Sequence, residues 1–207
     1  FEVPELPSAN NKSVGVDLGL KRLFVTSDGL YYKDKAYMAN RRKVRYLKRC
    51  LRDKGTKSAL RHLRKLKHKE YHQSDAMCHK AVNALIKAHP SASGFVIEDL
   101  SKIKHGTARF KNGFKRKKHN SMMSQVPFRK FRDILSYKAP LSGKTVETVN
   151  PKYTSQIDSR SGKKDGERKG CRYYCKDGQI LDADWNASIN IAKKGKHPFS
   201  TVIPTDG

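Results

Sequence analysis

Three carboxylates stand out in this chain by what surrounds each of them. Asp17 lies near the end of Ser13-Val14-Gly15-Val16-Asp17-Leu18-Gly19, which reads as a short buried strand with glycines on either side of the acid. Glu98 follows a second apolar run, Gly94-Phe95-Val96-Ile97, and Asp184 opens a short helix-like segment, Asp184-Trp185-Asn186-Ala187-Ser188-Ile189-Asn190-Ile191. Side chains alternate between the two faces of a strand, so Val14, Val16 and Leu18 share a core face while Gly15, Asp17 and Gly19 share the other. That second face is nearly bare, and the expectation is that a metal ion or a phosphate backbone can approach it. Taken alone, the same seven residues describe equally well a plain strand running into a turn.

The placement of the other acids separates the two readings. If the strands holding Asp17 and Glu98 are neighbours, both acids emerge at one sheet end, and a helix starting there brings in Asp184. Gathered carboxylates repel by a few kcal/mol per pair at an effective dielectric of about 20, so the site calls for cations. Hard oxygen ligands favour Mg²⁺ or Mn²⁺. Two such ions, about 3.5 to 4 Å apart, can activate a water and stabilise the leaving oxygen of a phosphodiester. Asp99 and Asp182 rank below these three. Asp99 points to the strand face opposite Glu98, and Asp182 reads as a helix N-terminal or loop group.

Composition supplies the substrate class. The 207 residues carry a formal net charge of +26, and 36% of them are hydrophobic, enough for one domain of ordinary size with a small appendage. Such a chain needs a polyanionic partner. Nucleic acid ranks ahead of an anionic membrane, because no stretch approaches the ~18 apolar residues of a span, and no signal peptide opens the chain. Cys50, Cys78, Cys171 and Cys175 do not form a secreted disulfide framework, so a reducing cytoplasm is expected. The opening, with Pro4 and Pro7, reads as the middle of something, and further sequence is expected upstream.

The positioning elements follow in order. After an extended lead-in and the first strand, Ser27-Asp28-Gly29 between apolar runs signals a hairpin, giving a three-stranded antiparallel meander. A helix from Ala36 carries Tyr37, Val44, Leu47 and Leu51 on one face, and Lys54-Gly55-Thr56 breaks it. A longer helix runs to about Ala88 with Met77, Ala81, Ala84, Leu85 and Ala88 as its apolar stripe. Then come the Glu98 strand, a basic loop over 101–120, a helix over 122–139, an edge strand over 144–149, a polar irregular stretch over 150–178 and the final helix. That order is a mixed α/β, ribonuclease H-like layout. Arg41, Arg42, Arg45, Lys48, Arg49, Arg61, Arg64 and Lys65 on the two helices, with Lys115 and Arg116 in the loop, are scarcely offset by acids and read as a phosphate-tracking surface. Phe110 and Phe114 either stack on bases or anchor their loop. His68 and His72 read as surface groups, and Trp185 as a packing residue.

Five motifs occur in a telling order: Val-Gly-Val-Asp-Leu-Gly at 14–19, Val-Ile-Glu-Asp-Leu at 96–100, Tyr-Lys-Ala at 137–139, Thr-Ser-Gln at 154–156 and Asp-Trp-Asn-Ala at 184–187. Together they resemble the C-terminal RuvC nuclease half of TnpB, the OrfB protein of bacterial insertion sequences and a relative of the type V CRISPR effectors. The resemblance implies an RNA-guided DNA endonuclease of the prokaryotic cytoplasm and nucleoid, with guide RNA and target DNA as partners. It implies Asp17, Glu98 and Asp184 as catalytic metal ligands for two Mg²⁺ or Mn²⁺ ions. It also implies a division into a lead-in at 1–12, a RuvC core at 13–150, an insert at 151–180, a final RuvC segment at 181–194 and a tail at 195–207. Recognition and wedge domains would precede Phe1, and without them the fragment is expected to be inactive.

The insert departs from that family's zinc ribbon. Asp158 and Ser161 stand where its first two cysteines belong, and Gly178 replaces the partner of Cys175. Cys171 and Cys175 are remnants, and with too few soft ligands Zn²⁺ is not expected. The alternative readings are a non-cleaving, repressor-like RNA-guided binder, or another ribonuclease H-like nuclease or transposase.

Overall fold

The structure, a computed structural model, describes residues 12–100 and 127–195. Five strands form one mixed sheet: β1 (Ser13–Leu18), β2 (Phe24–Thr26), β3 (Tyr31–Tyr32), β4 (Gly94–Glu98) and β5 (Thr145–Val149), in the order β3-β2-β1-β4-β5. β1, β2 and β3 pair antiparallel, as the hairpin signal predicts, whereas β4 pairs parallel with both β1 and β5. Parallel neighbours need a long crossover. Helices α1 (Lys35–Lys54) and α2 (Lys57–Ala88) supply the first, and α3 (Phe128–Leu141) belongs to the second. The break between α1 and α2 is locally encoded. The Asp34 carboxylate accepts from the Tyr37 N–H at 2.8 Å to start α1, and Gly55 ends it at φ 63°. The Thr56 hydroxyl then accepts from the Ala59 N–H at 3.1 Å to start α2.

One face of the sheet makes the main core. Val14, Val16, Phe95 and Ile97 pack there with Met77, Cys78, Ala81, Val82 and Leu85 of α2 and Phe131, Ile134 and Leu135 of α3. The buried stripe of α2 differs from the expected one. Cys78 and Val82 are buried, Ala84 is half-buried and Ala88 exposed, because the sheet takes the helix face with the larger apolar groups. The predicted helix over 122–139 is seen from Phe128, runs through Pro140 to Leu141, and its first residues lie outside those described.

Helix α4 (Ala183–Lys194) covers the other face. There a Cβ on Gly15 would stand 2.1 Å from the Ser188 carbonyl oxygen and 2.8 Å from the Ala192 Cβ. This corrects the expectation that the glycine face lies open to a ligand: at Gly15 it is bare so that a helix backbone can lie against the strand. The stretch read as irregular over 150–178 contains two strands of a second sheet, β6 (Glu167–Lys169) and β7 (Arg172–Tyr174), and the third, β8 (Ile180–Asp182), follows just beyond it, all antiparallel. Three-residue strands rich in charge carry no apolar alternation for a sequence reading to detect. Tyr173 is fully buried beneath this sheet, and its hydroxyl donates to the Gln156 carbonyl at 3.0 Å.

A buried His89 ties the end of α2 to the β2–β3 turn. Its Nδ1 lies 2.8 Å from the Leu85 carbonyl and its Nε2 2.9 Å from Asp28 Oδ2. The His89 hydrogen bond holds the Asp28 carboxyl down at about 2. Burial opposes protonation of His89, but the bonds to Asp28 and the Leu85 carbonyl and the Asp28 charge together outweigh it and raise the imidazole above its ordinary value. The Asp28 contribution is therefore complete above its ordinary value near ~4 and lost as pH falls through about 2. The His89 contribution is complete below ~6.5 and lost as pH rises through the raised value. Asp28→Asn is expected to lower the unfolding free energy by about 1 to 2 kcal/mol between these limits, in a denaturant titration at about pH 5.5. The gap from wild type should narrow in alkali.

Candidate active site

The sheet delivers the first two acids together. In the parallel register of β1 and β4, Val16 faces Ile97, so the next residues, Asp17 and Glu98, leave the two strands side by side. The third comes from α4. Asp182 caps that helix, its Oδ1 accepting from the N–H groups of Asp184 and Trp185 at 3.0 and 3.1 Å, which fixes Asp184 in the first turn. The Trp185 indole donates to the Ser27 carbonyl at 3.0 Å and pins the helix start to the end of β2. As a result Asp17, Glu98 and Asp184 line one cavity of about 620 Å³. Asp99, expected to point away, lies on its wall as well and meets Arg132 at 3.7 Å.

The three acids sit in different electrostatic surroundings. Burial, and then the charges of Glu98 and Asp184, push the Asp17 carboxyl up to about 8. Burial also raises Glu98, opposed by the Thr154 hydroxyl that donates to its Oε1 and by the Lys194 charge. Asp184 has a cation on each oxygen. Oδ1 accepts from Arg168 at 2.8 Å and Oδ2 from Arg22 at 2.9 Å, while Arg22 also grips Asp182 at 2.7 Å. Arg22, Arg168 and Lys194 are absent from the sequence-based site. Single cations among 45 lysines and arginines carry no signal, and only Thr154 could have been found, through its place in Thr-Ser-Gln.

This donor set fits a hard divalent cation in chemistry: all oxygen, with Asp17 held in a poorly solvated carboxylate site that a cation would stabilise. Among the described residues, however, no three His, Cys, Asp or Glu side chains converge closely enough to hold an ion as they stand. The guanidiniums of Arg22 and Arg168 lie against Asp184, which must turn from them to join a shared ion.

In the second sheet the two cysteines part. Cys171 Sγ lies 3.0 Å from the Lys21 ammonium, whereas Cys175 is buried beside Asp158. The polar centre there is Arg160, which bonds Asp177 at 2.9 Å, the buried Asp158 at 3.4 Å, and Gln179. Arg160→Leu would leave the buried Asp158 carboxylate with the backbone N–H of residue 160 and Cys175 but no cation, and the expected result is a local loss of about 2 to 4 kcal/mol. Faster amide hydrogen exchange confined to β6–β8 would report it.

Of the basic residues singled out, Arg41, Arg45 and Lys48 line a second cavity of about 500 Å³ with Tyr37, Tyr71 and Lys130. Lys48 is ion-paired to Glu70. Arg42, Arg49, Arg61, Arg64 and Lys65 are exposed but do not line that cavity. His68 and His72 are exposed neighbours with their Nε2 atoms 3.1 Å apart. Phe110, Phe114, Lys115 and Arg116 lie outside the described residues.

The sequence pattern of the OrfB family of insertion sequence IS605, described as a probable transposase, matches residues 1–109, more than half of the chain. The chain belongs to the OrfB family. A Cas12f1-like TNB domain pattern matches residues 128–191 of the same OrfB-family chain. A curated relative, the CRISPR-associated endodeoxyribonuclease Cas12f2 of a Micrarchaeota archaeon, is 31% identical over 140 residues, covering 62% of this chain and 25% of the relative. The OrfB-family fold also resembles Cas12f1 in its complex with single-guide RNA and target DNA, at a TM-score of 0.65 and 17% identity over 89% of this chain. The match spans about half of that Cas12f1 chain, at 51%. Among the described residues of this OrfB-family chain, no helix is long and apolar enough to cross a membrane.

Proposed function

We propose that this chain carries a RuvC-type, ribonuclease H-like site that cuts DNA within an RNA-guided endonuclease, with Asp17, Glu98 and Asp184 as its catalytic carboxylates. One observation carries this reading: three acids from the ends of two parallel strands and the start of a helix line a single cavity in a chain of net charge +26. The strand order β3-β2-β1-β4-β5, antiparallel on one side of β1 and parallel on the other, supports the ribonuclease H-like assignment. The family membership and the likeness to a Cas12f1 fold support guide RNA and target DNA as partners.

Asp17 and Glu98 would hold divalent ions from the sheet side and Asp184 from the helix side. Mg²⁺ or Mn²⁺, when bound, supplies an activated water and neutralises charge at the scissile phosphodiester. The chain's own cations serve the same site. Lys21 and Arg168 line the cavity and present positive charge to an incoming phosphate, while Arg22 holds Asp184 beside Asp182 until Asp184 turns toward an ion. The segment 151–180 fits as a ribbon-like insert organised by Arg160 rather than by zinc, between core segments at 13–150 and 181–194.

A second reading, an RNA-guided binder that does not cut, is favoured by the two arginines on Asp184. Manganese binding by the full-length polypeptide, followed by electron paramagnetic resonance, separates them. The cutting reading expects bound Mn²⁺ that Asp17→Asn removes. The binding reading expects no carboxylate-dependent Mn²⁺, with DNA affinity falling at a salt slope of roughly −0.9 per phosphate contact in both proteins.

A further inference from the structure

Among the described residues, Tyr153 is the one non-glycine residue with a positive φ, at 71°. A left-handed turn position favours glycine or asparagine, and a bulky aromatic residue there is a backbone outlier. Such strain persists only where the surrounding structure over-determines it. Here it is pinned from several sides. The Lys194 ammonium donates to the carbonyls of Asn150 and Lys152 at 2.9 and 2.5 Å, and Asn190 donates to the Thr154 carbonyl at 2.9 Å. The Tyr153 carbonyl itself accepts from the Gln156 and Ile157 N–H groups at 2.9 and 3.2 Å.

The ring gains little from the core for this strain, since Tyr153 is 41% exposed. Its neighbours are cations: Lys164 Nζ lies 3.0 Å and Lys152 Nζ 5.0 Å from the ring centroid. Pro151, Thr154 and Ser155, on either side of it in sequence, line the carboxylate cavity, and the Thr154 hydroxyl bonds Glu98. A part-exposed aromatic ring with two lysines, in the turn whose residues on either side line that cavity, has the chemistry of a base platform with phosphate contacts beside it.

We propose that Tyr153, flanked by Lys152 and Lys164, stacks a base of the single DNA strand led into the carboxylate cavity. The lysines exchange the ring for the phosphates on either side of the stacked base. The inference rests on the nucleolytic reading of the cavity and adds a positioning residue, whose π face holds a base without reading its edge.

The test uses the full-length polypeptide with its guide RNA, carrying Asp17→Ala so that nothing is cut, and a single-stranded DNA containing 2-aminopurine. Tyr153→Gly removes the ring and relieves the backbone at once. Its expected result is unchanged or higher thermal stability, binding weaker by roughly tenfold or more, and loss of 2-aminopurine quenching. Tyr153→Phe keeps the stacking face and is expected to retain both binding and quenching. Equal affinity and quenching in Tyr153→Gly overturns the proposal, as does an intact Tyr153 that never quenches. A preference for RNA over DNA of the same sequence overturns the assignment to a DNA strand. Failure of the nucleolytic reading shows separately, as an absence of cutting by the protein with Asp17 intact.

Discussion

Alanine at position 15 is expected to displace the final helix. The added Cβ would stand 2.1 Å from the Ser188 carbonyl oxygen, 2.5 Å from the Ala192 backbone nitrogen and 2.8 Å from its Cβ. Two of the three obstacles are backbone atoms, which cannot swing aside as a flexible side chain would. Either β1 or α4 must move, and α4 is what carries Asp184 and packs Ile191 onto Val96 and Val149. Overpacking of this kind costs about 3 kcal/mol or more. Gly15→Ala should unfold at lower denaturant and lose amide protection over residues 183–194, while α2 and α3 keep theirs. Unchanged protection of α4 would contradict the packing described for this face.

Removing the charge at position 17 is expected to act in the opposite sense. A carboxyl raised to about 8 favours the folded state while protonated. Its effect on stability is nil below the unfolded value near ~4 and grows more unfavourable as pH climbs through about 8. At about 1.4 kcal/mol per unit, the destabilisation reaches several kcal/mol in alkali. Asp17→Asn should therefore match wild type at about pH 4 and exceed it by several kcal/mol at about pH 9, measured by chemical denaturation without divalent ions. Saturating Mg²⁺ should close part of that gap for wild type only, since a ligand of the folded state stabilises by mass action. A variant no more stable than wild type in alkali would show that Asp17 is better solvated than its place between Glu98 and Asp184 indicates.

These two residues also mark how far the sequence could be read. Alternation along two short strands is a local pattern, so the placing of Asp17 and Glu98 at strand ends follows from the sequence, and the parallel register then sets them side by side. Gly15 looked like room for a ligand because a missing side chain signals only space. Which neighbour fills the space depends on a helix more than 160 residues away, and the sequence is silent about that. Arg22 and Arg168 are invisible for the same reason: each is one cation among many until the fold sets it against Asp184. The small sheet over 167–182 escaped detection because its strands are three residues long and Glu167, Arg168 and Lys169 do not alternate. Tyr153 escaped because a positive φ is a property of the turn and not of the residue placed in it.

The central claim is that Asp17, Glu98 and Asp184 act together on one phosphodiester. Its most direct test is cleavage of target DNA by the full-length polypeptide with its guide RNA and Mg²⁺, comparing wild type with Asp17→Asn, Glu98→Gln and Asp184→Asn. Each substitution alone is predicted to lower the rate by roughly a thousandfold or more while guide-dependent DNA binding persists. Cutting at the wild-type rate by any one of the three would remove that carboxylate from the site and contradict the account.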